Sequence, residues 1–303
     1  MKKGKISSIS IMLLASLFAA GQTATQNYIT TNSMLGNGDT IKTTVYYDGL
    51  GKPTETIRHD FSPHKSDNVA MVEYDLQNRV SKEWLPAVMN AHGAFQSTES
   101  VQSASRSSNN DVCPYVSKFY ESNPLSRETA IYGAGGNWYA NSKSLNYLYL
   151  TNSGIGGDLT CKRYRVSDGG DSFSQDGFYA EGELDVVKTI DEDGHIKYDF
   201  KNLYGDIVLQ RTVGNENHDT YYLYDYRGNL CFVLSPKASS QLGNATNIGV
   251  DNNSIVANLS FFYKYDSKNR CIEKKMPGCE PVYYVYDMYH LPIFSQDGNQ
   301  RAK

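Results

Sequence analysis

The sequence predicts an all-β fold built from tandem β-hairpins. A tyrosine-aspartate motif recurs along the chain, and turn signals in the last third follow one another at roughly the 8 to 12 residues typical of a meander. The composition agrees, since 24 Tyr stand against 11 Phe and 2 Trp among 303 residues. Tyrosine rings can supply the packing area of strands that carry few large aliphatic residues. We therefore expect a curled, open meander or partial shell with a small irregular insertion containing a short helix.

The repeated motif reads tyrosine, any residue, tyrosine, aspartate, any two residues, and then usually glycine or asparagine. Tyrosines separated by one residue share a strand face. Aspartate caps its own turn, and glycine or asparagine tolerates positive φ. This pattern predicts a strand, turn and strand in which the tyrosine pair marks the buried face. The copies comprise Tyr46, Asp48 and Gly51; Tyr74, Asp75 and Asn78; Tyr222, Tyr224, Asp225 and Gly228; Tyr263, Tyr265, Asp266 and Asn269; Tyr284, Tyr286, Asp287 and His290; and a degenerate Phe200, Asn202 and Gly205.

Residues 1–24 have the layout of a secretory signal peptide. Lys2, Lys3 and Lys5 precede an apolar run over 9–20, and alanines near its end offer cleavage sites. The run is shorter than the ~20 residues that a membrane-crossing helix requires. We expect an exported chain, located in the periplasm, on the outer surface or in the medium, with no membrane-spanning segment after signal removal.

Two further divisions are expected in the mature chain. Residues 25–185 would form an N-terminal β domain with two early hairpins, interrupted by a mobile Ser-rich loop over about 87–112. Residues 186–303 would form a hairpin array with a loop insertion over about 235–258, where Ser, Asn, Ala and Gly dominate. The glycines at 133–136 predict a wide turn followed by strand-like residues.

Charge and the distribution of reactive side chains exclude several classes of function. The net charge of −4 becomes about −7 when the three signal lysines are lost, and no basic segment offers a footprint for nucleic acid. The six histidines lack metal-binding spacing. The aspartates at 168–176 and 191–193 lack the ligand pattern of an EF-hand calcium loop. No Gly-x-Ser-x-Gly element and no Cys beside a His is present. We expect no catalytic residues, no metal and no cofactor.

The five cysteines are an odd number without the spacing of a zinc site or a dense disulfide framework. At least one free thiol is expected unless chains pair. A bridge between Cys271 and Cys279 across the turn at 277–278 stays open as an alternative.

Four landmarks carry a resemblance to a known family. YYDGLGKP begins at Tyr46, SKEWLP at Ser81, YESNPLSR at Tyr120 and LSPK at Leu234. Together with the motif copies, they resemble the N-terminal region of RHS/YD-repeat proteins exported by Bacteroidetes-type bacteria. The resemblance implies β-hairpin ribbons that coil into a shell, here truncated or split because no core cleavage signature or C-terminal effector is present. Lys52 stands where the family usually has Arg.

Three functions compete at this level. The favoured one is a non-enzymatic, exported structural module, a shell-wall segment whose edge strands pair with a downstream RHS polypeptide or with a second copy. The alternative is a cell-surface module that binds carbohydrate or cells, with Trp138 and Tyr139 as candidate glycan contacts. A cryptic hydrolase within 133–182 is the second alternative.

Overall fold

The computed structural model describes residues 25–35, 39–243 and 246–302. The predicted signal peptide at 1–24 therefore lies outside the described residues. The chain divides into two compact units. The first contains the described residues up to Ser122 together with Ile131–Lys143, and the second contains Asn123–Ala130 and the described residues from Ser144 onward.

The first unit is an antiparallel sheet covered by one helix. Strands β1 to β4 pair in sequence order, β4 also pairs with β5 and β6, and β5 pairs with β7. Its buried side chains include Tyr46, Ile57, Val69, Trp84 and, from the helix, Val101. The elements are β1 (Asn27–Met34), β2 (Thr40–Tyr47), β3 (Pro53–Arg58), β4 (Asp67–Tyr74), β5 (Val80–Trp84), β6 (Ala87–Met89), α1 (Thr98–Asn109) and β7 (Tyr115–Tyr120).

The prediction of a mobile loop over 87–112 is wrong, because this segment forms β6 and α1. The Ser97 side chain caps α1 by accepting a hydrogen bond from the Ser100 N–H, as expected of a serine at this position. Asn110 ends the helix with φ 48°. Only Val101 and Ser105 are buried, four residues apart on one face. A helix with a single buried aliphatic residue has too weak a periodic pattern to identify from composition.

The glycine stretch at 133–136 also departs from the prediction. It follows β8 (Glu128–Tyr132) and leads directly into α2 (Gly136–Ala140) rather than into a strand. The Asp111 carboxylate fixes this start by accepting a hydrogen bond from the Gly136 N–H at 2.7 Å.

The second unit contains an antiparallel meander and a small three-stranded sheet. In the meander, β9 pairs with β12, after which the ladder runs β12-β13-β14-β15-β16-β18-β19-β20-β21. The small sheet is β10-β11-β17. The strands are β9 (Leu145–Thr151), β10 (Lys162–Val166), β11 (Ser172–Phe178), β12 (Asp185–Ile190), β13 (Ile196–Lys201), β14 (Ile207–Val213), β15 (Asn217–Tyr224), β16 (Leu230–Leu234), β17 (Ile248–Gly249), β18 (Ser260–Tyr265), β19 (Cys271–Lys275), β20 (Val282–Tyr286) and β21 (Pro292–Gln296).

The insertion predicted near 235–258 contains more regular structure than a loop. It forms α3 (Pro236–Gln241), β17 and α4 (Ser254–Leu259), and a further short helix, α5 (Gly298–Arg301), follows β21. Ser235 caps α3, with proline at the start of the helix, and Asn253 caps α4. Both helices pack on the meander, where Phe200, Phe232 and Phe262 form the buried face. The all-β hairpin architecture with a short-helix insertion is thus confirmed.

Candidate functional site

One turn geometry is repeated at every copy of the motif. At Asp225, the carboxylate Oδ1 accepts hydrogen bonds from the N–H groups of Arg227 and Asn229, at 2.9 and 2.8 Å. The Asp225 N–H donates to the Asn229 carbonyl, and the Gly228 N–H donates back to the Asp225 carbonyl. One side chain therefore satisfies two turn amides while the backbone closes the loop twice. The same four contacts recur at Asp48, Asp75, Asp191, Asn202, Asp266 and Asp287.

The third residue after each of these aspartates or asparagines has positive φ. Gly51, Gly205 and Gly228 have φ between 79° and 86°. Asn78 and Asn269 occupy the same region at 60° and 58°. His290 also adopts it, at 65°, so the last copy makes the same turn despite its unusual residue.

Two copies form the full turn although their sequences depart from the motif. Asn202 was treated as degenerate, yet its amide oxygen accepts the same two hydrogen bonds as a carboxylate would, both at 2.9 Å. Asp191, which the sequence presents as a possible calcium ligand, makes the same four turn contacts as Asp225. Isoleucine replaces the tyrosine before this turn. The sequence signal that remains for the turn is the spacing of three residues from Asp191 to Gly194.

At four of the turns, the tyrosine before the turn links its hairpin to the preceding one. The Tyr224 hydroxyl donates to the carbonyl of Ile207 at 3.0 Å, and Ile207 is the fifth residue after the preceding turn asparagine. The same relation joins Tyr74 to Pro53, Tyr265 to Leu230 and Tyr286 to Cys271, at 2.8 to 3.1 Å. Tyr120, without a following aspartate, reaches the equivalent carbonyl of Val80. We call this contact the tyrosine staple.

The predicted burial of the tyrosine pair is wrong. Tyr222 and Tyr224 are both half-buried, whereas Leu223 between them and the preceding Tyr221 are buried. The same half-burial applies to Tyr263, Tyr265, Tyr284 and Tyr286. A phenol on the half-buried face keeps its hydroxyl near a carbonyl on the neighbouring strand, while aliphatic and phenylalanine side chains fill the dry face. Tyr46 is fully buried because it lies two residues before its turn aspartate, on the same face as Leu223, and its hydroxyl donates to the Gly93 carbonyl at 2.6 Å.

A register shift accompanies almost every copy of the turn. The ladder slips by one residue immediately before the tyrosine, as between Leu223 and Tyr224 or between Lys264 and Tyr265. Such a β-bulge increases local twist and redirects the side chain that follows. The extra residue lies on the strand after the turn, Cys231 in the first case and Ile272 in the second.

In three of the turns, the fourth residue after the turn aspartate connects that turn to the next. Arg270 binds the Asp266 carboxylate at 2.7 Å and donates to the Asp287 carbonyl at 3.1 Å. Lys52 donates to the Asn78 carbonyl, and the Asn229 amide reaches Asn269 Oδ1 at 3.2 Å. Lysine at position 52 thus preserves the bridge between turns without arginine's bidentate grip on its own aspartate.

These contacts favour the charged form of two turn carboxylates. Hydrogen bonds from the backbone and side chain of Arg270 lower the pKa of Asp266 to about 2. The pKa of Asp75 is also lowered, mainly by the backbone hydrogen bond from Arg79. A carboxylate that accepts several N–H groups is favoured over its protonated form. Asp75 and Asp266 therefore stay ionised at neutral pH.

The candidate glycan contacts lie in the first unit, on α2. Trp138 is 41% exposed, and its indole covers Gly133 and Gly135. Tyr139 is half-buried, stacks on Tyr132 at a centroid distance of 4.9 Å, and donates its hydroxyl to Ser117 at 2.6 Å. One face of Tyr139 is thus covered by Tyr132 and its hydroxyl is already bonded, so Trp138 is the more open of the two.

The remaining reactive side chains have structural partners. Within the described ranges, no group of three or more His, Cys, Asp and Glu side chains is arranged to hold a metal ion. Asp176 pairs with Arg163 and Arg165, and Asp171 accepts from the Ser167 hydroxyl. All five cysteines are free thiols, so the Cys271–Cys279 bridge does not form. No helix in the described part of the chain is long and apolar enough to span a bilayer.

Sequence reasoning missed a buried acid in the first unit. Glu55 on β3 is 2% exposed, and its carboxyl accepts weak hydrogen bonds from the Gln96 N–H at 3.2 and 3.3 Å. Burial raises its pKa to about 7, and this hydrogen bond only partly opposes the effect. Together with Tyr46 and Asp67, which bind Gly93, Glu55 fastens the segment that leads into α1.

The ladder and the repeated turn define an antiparallel array of β-hairpins. Residues 20–151 match the family described as "Domain of unknown function (DUF6443)". No curated protein matches the chain.

Solved structures give the likeness in fold. "Crystal Structure of TcdB2-TccC3" is similar to the chain with a TM-score of 0.54 and 13% identity over 89% of its length. "Crystal Structure of TcdB2-TccC3-TEV" has a TM-score of 0.53 and 12% identity over 89%. The Tc holotoxin pore of Photorhabdus luminescens has a TM-score of 0.52 and 12% identity over 88%. The chain spans 12% of the length of each of these larger chains.

Removing the staple hydroxyl from Tyr224 should lower stability. Tyr224→Phe keeps the ring and deletes the donor to the Ile207 carbonyl, so we expect a loss of about 1 kcal/mol in the free energy of unfolding. Urea titration followed by circular dichroism measures the change. Tyr289→Phe, at a ring that is 73% exposed, serves as the control and should be neutral. Equal stability of the two variants would contradict the staple.

The backbone conformation at Gly228 should limit what can replace it. Nothing lies within 4 Å of an added Cβ, so any cost comes from φ 82° rather than from crowding. Gly228→Val should destabilise by roughly 2 kcal/mol because a β-branched residue is strained there. Gly228→Asn should cost much less, since Asn78 and Asn269 occupy the same position. Thermal unfolding of both variants measures the difference, and an equal cost would overturn the turn assignment.

Glu55 should make stability fall as pH rises. Its folded pKa of about 7 exceeds the unfolded value of 4.5, so the unfolded state releases its proton first. The stability of the wild-type chain should therefore decline between about pH 4.5 and 7 and level off above, by about 3 kcal/mol for this group. Glu55→Gln should remove that component in denaturant titrations at pH 5 and 8. The exposed Glu181→Gln is the control, and identical pH profiles for both variants would contradict the assignment.

Proposed function

We propose that the chain is a non-enzymatic, exported structural module, a wall segment of an RHS shell that is completed by pairing with a further RHS hairpin. The outermost strand of the second unit carries this proposal. All five side chains of β21 are exposed, including Ile293 at 51% and Phe294 at 70%. In the described residues β21 pairs only with β20. A strand edge with apolar side chains is a template for another strand.

The tyrosine staple identifies which kind of strand fits this edge. In four earlier hairpins, the carbonyl five residues after the turn aspartate or asparagine accepts a hydroxyl from the next motif tyrosine. In the last hairpin that carbonyl belongs to Pro292, at the start of β21. A partner hairpin with a tyrosine before its own Asx turn would repeat the contact. The partner is therefore an RHS polypeptide encoded nearby or, as the alternative, a second copy of this chain.

Export and the absence of catalysis belong to the same proposal. The charged start and apolar run at 1–24 support export, and the acidic composition keeps the mature chain soluble while it meets its partner. The motif residues are engaged in turns and staples, which supports a structural use of the repeat.

Charging the outer strand should abolish association. We expect the mature chain to bind either itself or an RHS polypeptide encoded beside it, detected by light scattering after size-exclusion chromatography. Ile293→Lys with Phe294→Lys should weaken that association at least tenfold, because charged side chains oppose edge-to-edge pairing. Ile155→Lys, at a loop residue that is 80% exposed, is the matched control and should leave it unchanged. A strictly monomeric chain that ignores both partners, or an equal effect of the control, would refute the proposal.

A further inference from the structure

Residues 91–97 cross the buried face of the first unit between β6 and α1, and we call this segment the strap. Its backbone is held by side chains of the sheet rather than by a strand or helix of its own. The Gly93 N–H donates to Asp67 Oδ2 at 2.8 Å, and the Gly93 carbonyl accepts the Tyr46 hydroxyl at 2.6 Å. Asp67 and Tyr46 are both buried. The strap therefore depends on ionisable side chains for its attachment.

A second anchor lies where the strap ends. The Gln96 N–H donates to the carboxyl of the buried Glu55, at 3.2 and 3.3 Å. Gln96 directly precedes Ser97, which caps α1, so Glu55 holds the point from which the helix starts. In the described part of the chain, no basic side chain forms an ion pair with Glu55. An ionised Glu55 would thus be a buried charge with a single hydrogen-bond donor.

The groups that surround Glu55 offer its charge no compensation. Tyr46 lies opposite it on β2 and Met71 on β4, and the Tyr46 hydroxyl is already given to Gly93. The other charged or titratable groups on the surrounding elements have partners elsewhere or face solvent: Glu73 binds Lys82, Asp67 binds Gly93, Lys42 and Asp60 act on His59, Arg106 lies over Trp84, and Glu99 is exposed. Burial and the Gln96 N–H remain as the two influences on the pKa of Glu55.

Helix α1 is attached to the sheet mainly by polar contacts. Val101 is its one buried aliphatic residue. Beside it, the Gln102 amide donates to Glu73 at 2.8 Å, and the Ser105 hydroxyl donates to the Leu85 carbonyl at 2.8 Å. A helix of 12 residues is marginal in water without tertiary contacts. The strap and α1 can therefore detach together, whereas the β2-β3-β4 ladder keeps its own backbone pairing.

We propose that residues 91–109, the strap together with α1, form a pH-gated cover that lifts from the sheet when Glu55 ionises. Lifting admits water to the carboxylate and uncovers Tyr46, Ile57 and Val69, each 0% exposed in the closed form. The pKa of Glu55 is about 7 with the cover closed and 4.5 when the carboxyl is in water, so opening releases a proton and becomes more frequent as pH rises. The cover uses no residue of β21, so this proposal and the pairing at β21 can fail separately.

Hydrogen exchange of the mature chain at pH 5 and 8 tests the cover. Exchange rates are converted to protection factors, which removes the intrinsic effect of pH on exchange. Amides of residues 91–109 should be less protected than those of β2 and β3 at both pH values, because the cover opens without the rest of the unit. Their protection should fall roughly seventyfold from pH 5 to pH 8, as the two pKa values require. Equal protection in the cover and in the sheet would overturn the proposal.

Two variants separate titration from attachment. Glu55→Gln keeps an acceptor for the Gln96 N–H but cannot ionise, so it should retain the protection of the cover and abolish its pH dependence. Asp67→Asn is the matched control, because it weakens the anchor at Gly93 and should lower protection while keeping the pH dependence. A pH dependence that survives in Glu55→Gln, or that disappears in Asp67→Asn, would contradict the gate. If Glu55→Gln does not fold, the wild-type comparison between cover and sheet decides by itself.

Discussion

The tyrosine hydroxyl before the turns at Asp75, Asp225, Asp266 and Asp287 is the contact that ties one hairpin to the preceding one. Backbone ladders join neighbouring strands, and the staple adds a fixed side-chain contact between them. Each of these phenols reaches a single carbonyl on the preceding hairpin, as Tyr265 reaches Leu230 at 3.1 Å. Staple and turn thus occur together at these four turns, where the tyrosine and the aspartate recur as a pair.

The turn itself tolerates more variation than the motif suggests. Its requirement is an oxygen acceptor at the first position and a residue with positive φ three positions later. Asn202 meets the first requirement as well as aspartate does, and His290 meets the second. At the fourth position, Arg270 and Lys52 both reach the next turn, and the amide of Asn229 does the same without a charge. Apparent departures from the pattern therefore leave the geometry intact.

The hairpins could be predicted because their signals are local, with the turn aspartate, the glycine and the strand alternation all within a few residues. Burial could not, because the sequence does not reveal that Leu223 rather than Tyr224 meets the dry core. Helix α1 could not be predicted, because Val101 is the one aliphatic residue on its buried face. The burial of Glu55 could not be predicted, because residues far apart in sequence create it, as its contact with Gln96 shows.

The excursion from α3 to α4 enters the array between two paired strands without disturbing their ladder. It leaves from the end of β16 that is remote from the turns, and β16 still pairs directly with β18. Tyr265 still reaches Leu230 across this gap of some thirty residues in the chain. Every tyrosine staple lies at the turn end of its hairpin, whereas the insertion begins at the other end of β16. An insertion at this end of the ladder therefore leaves the stapled turns as they are.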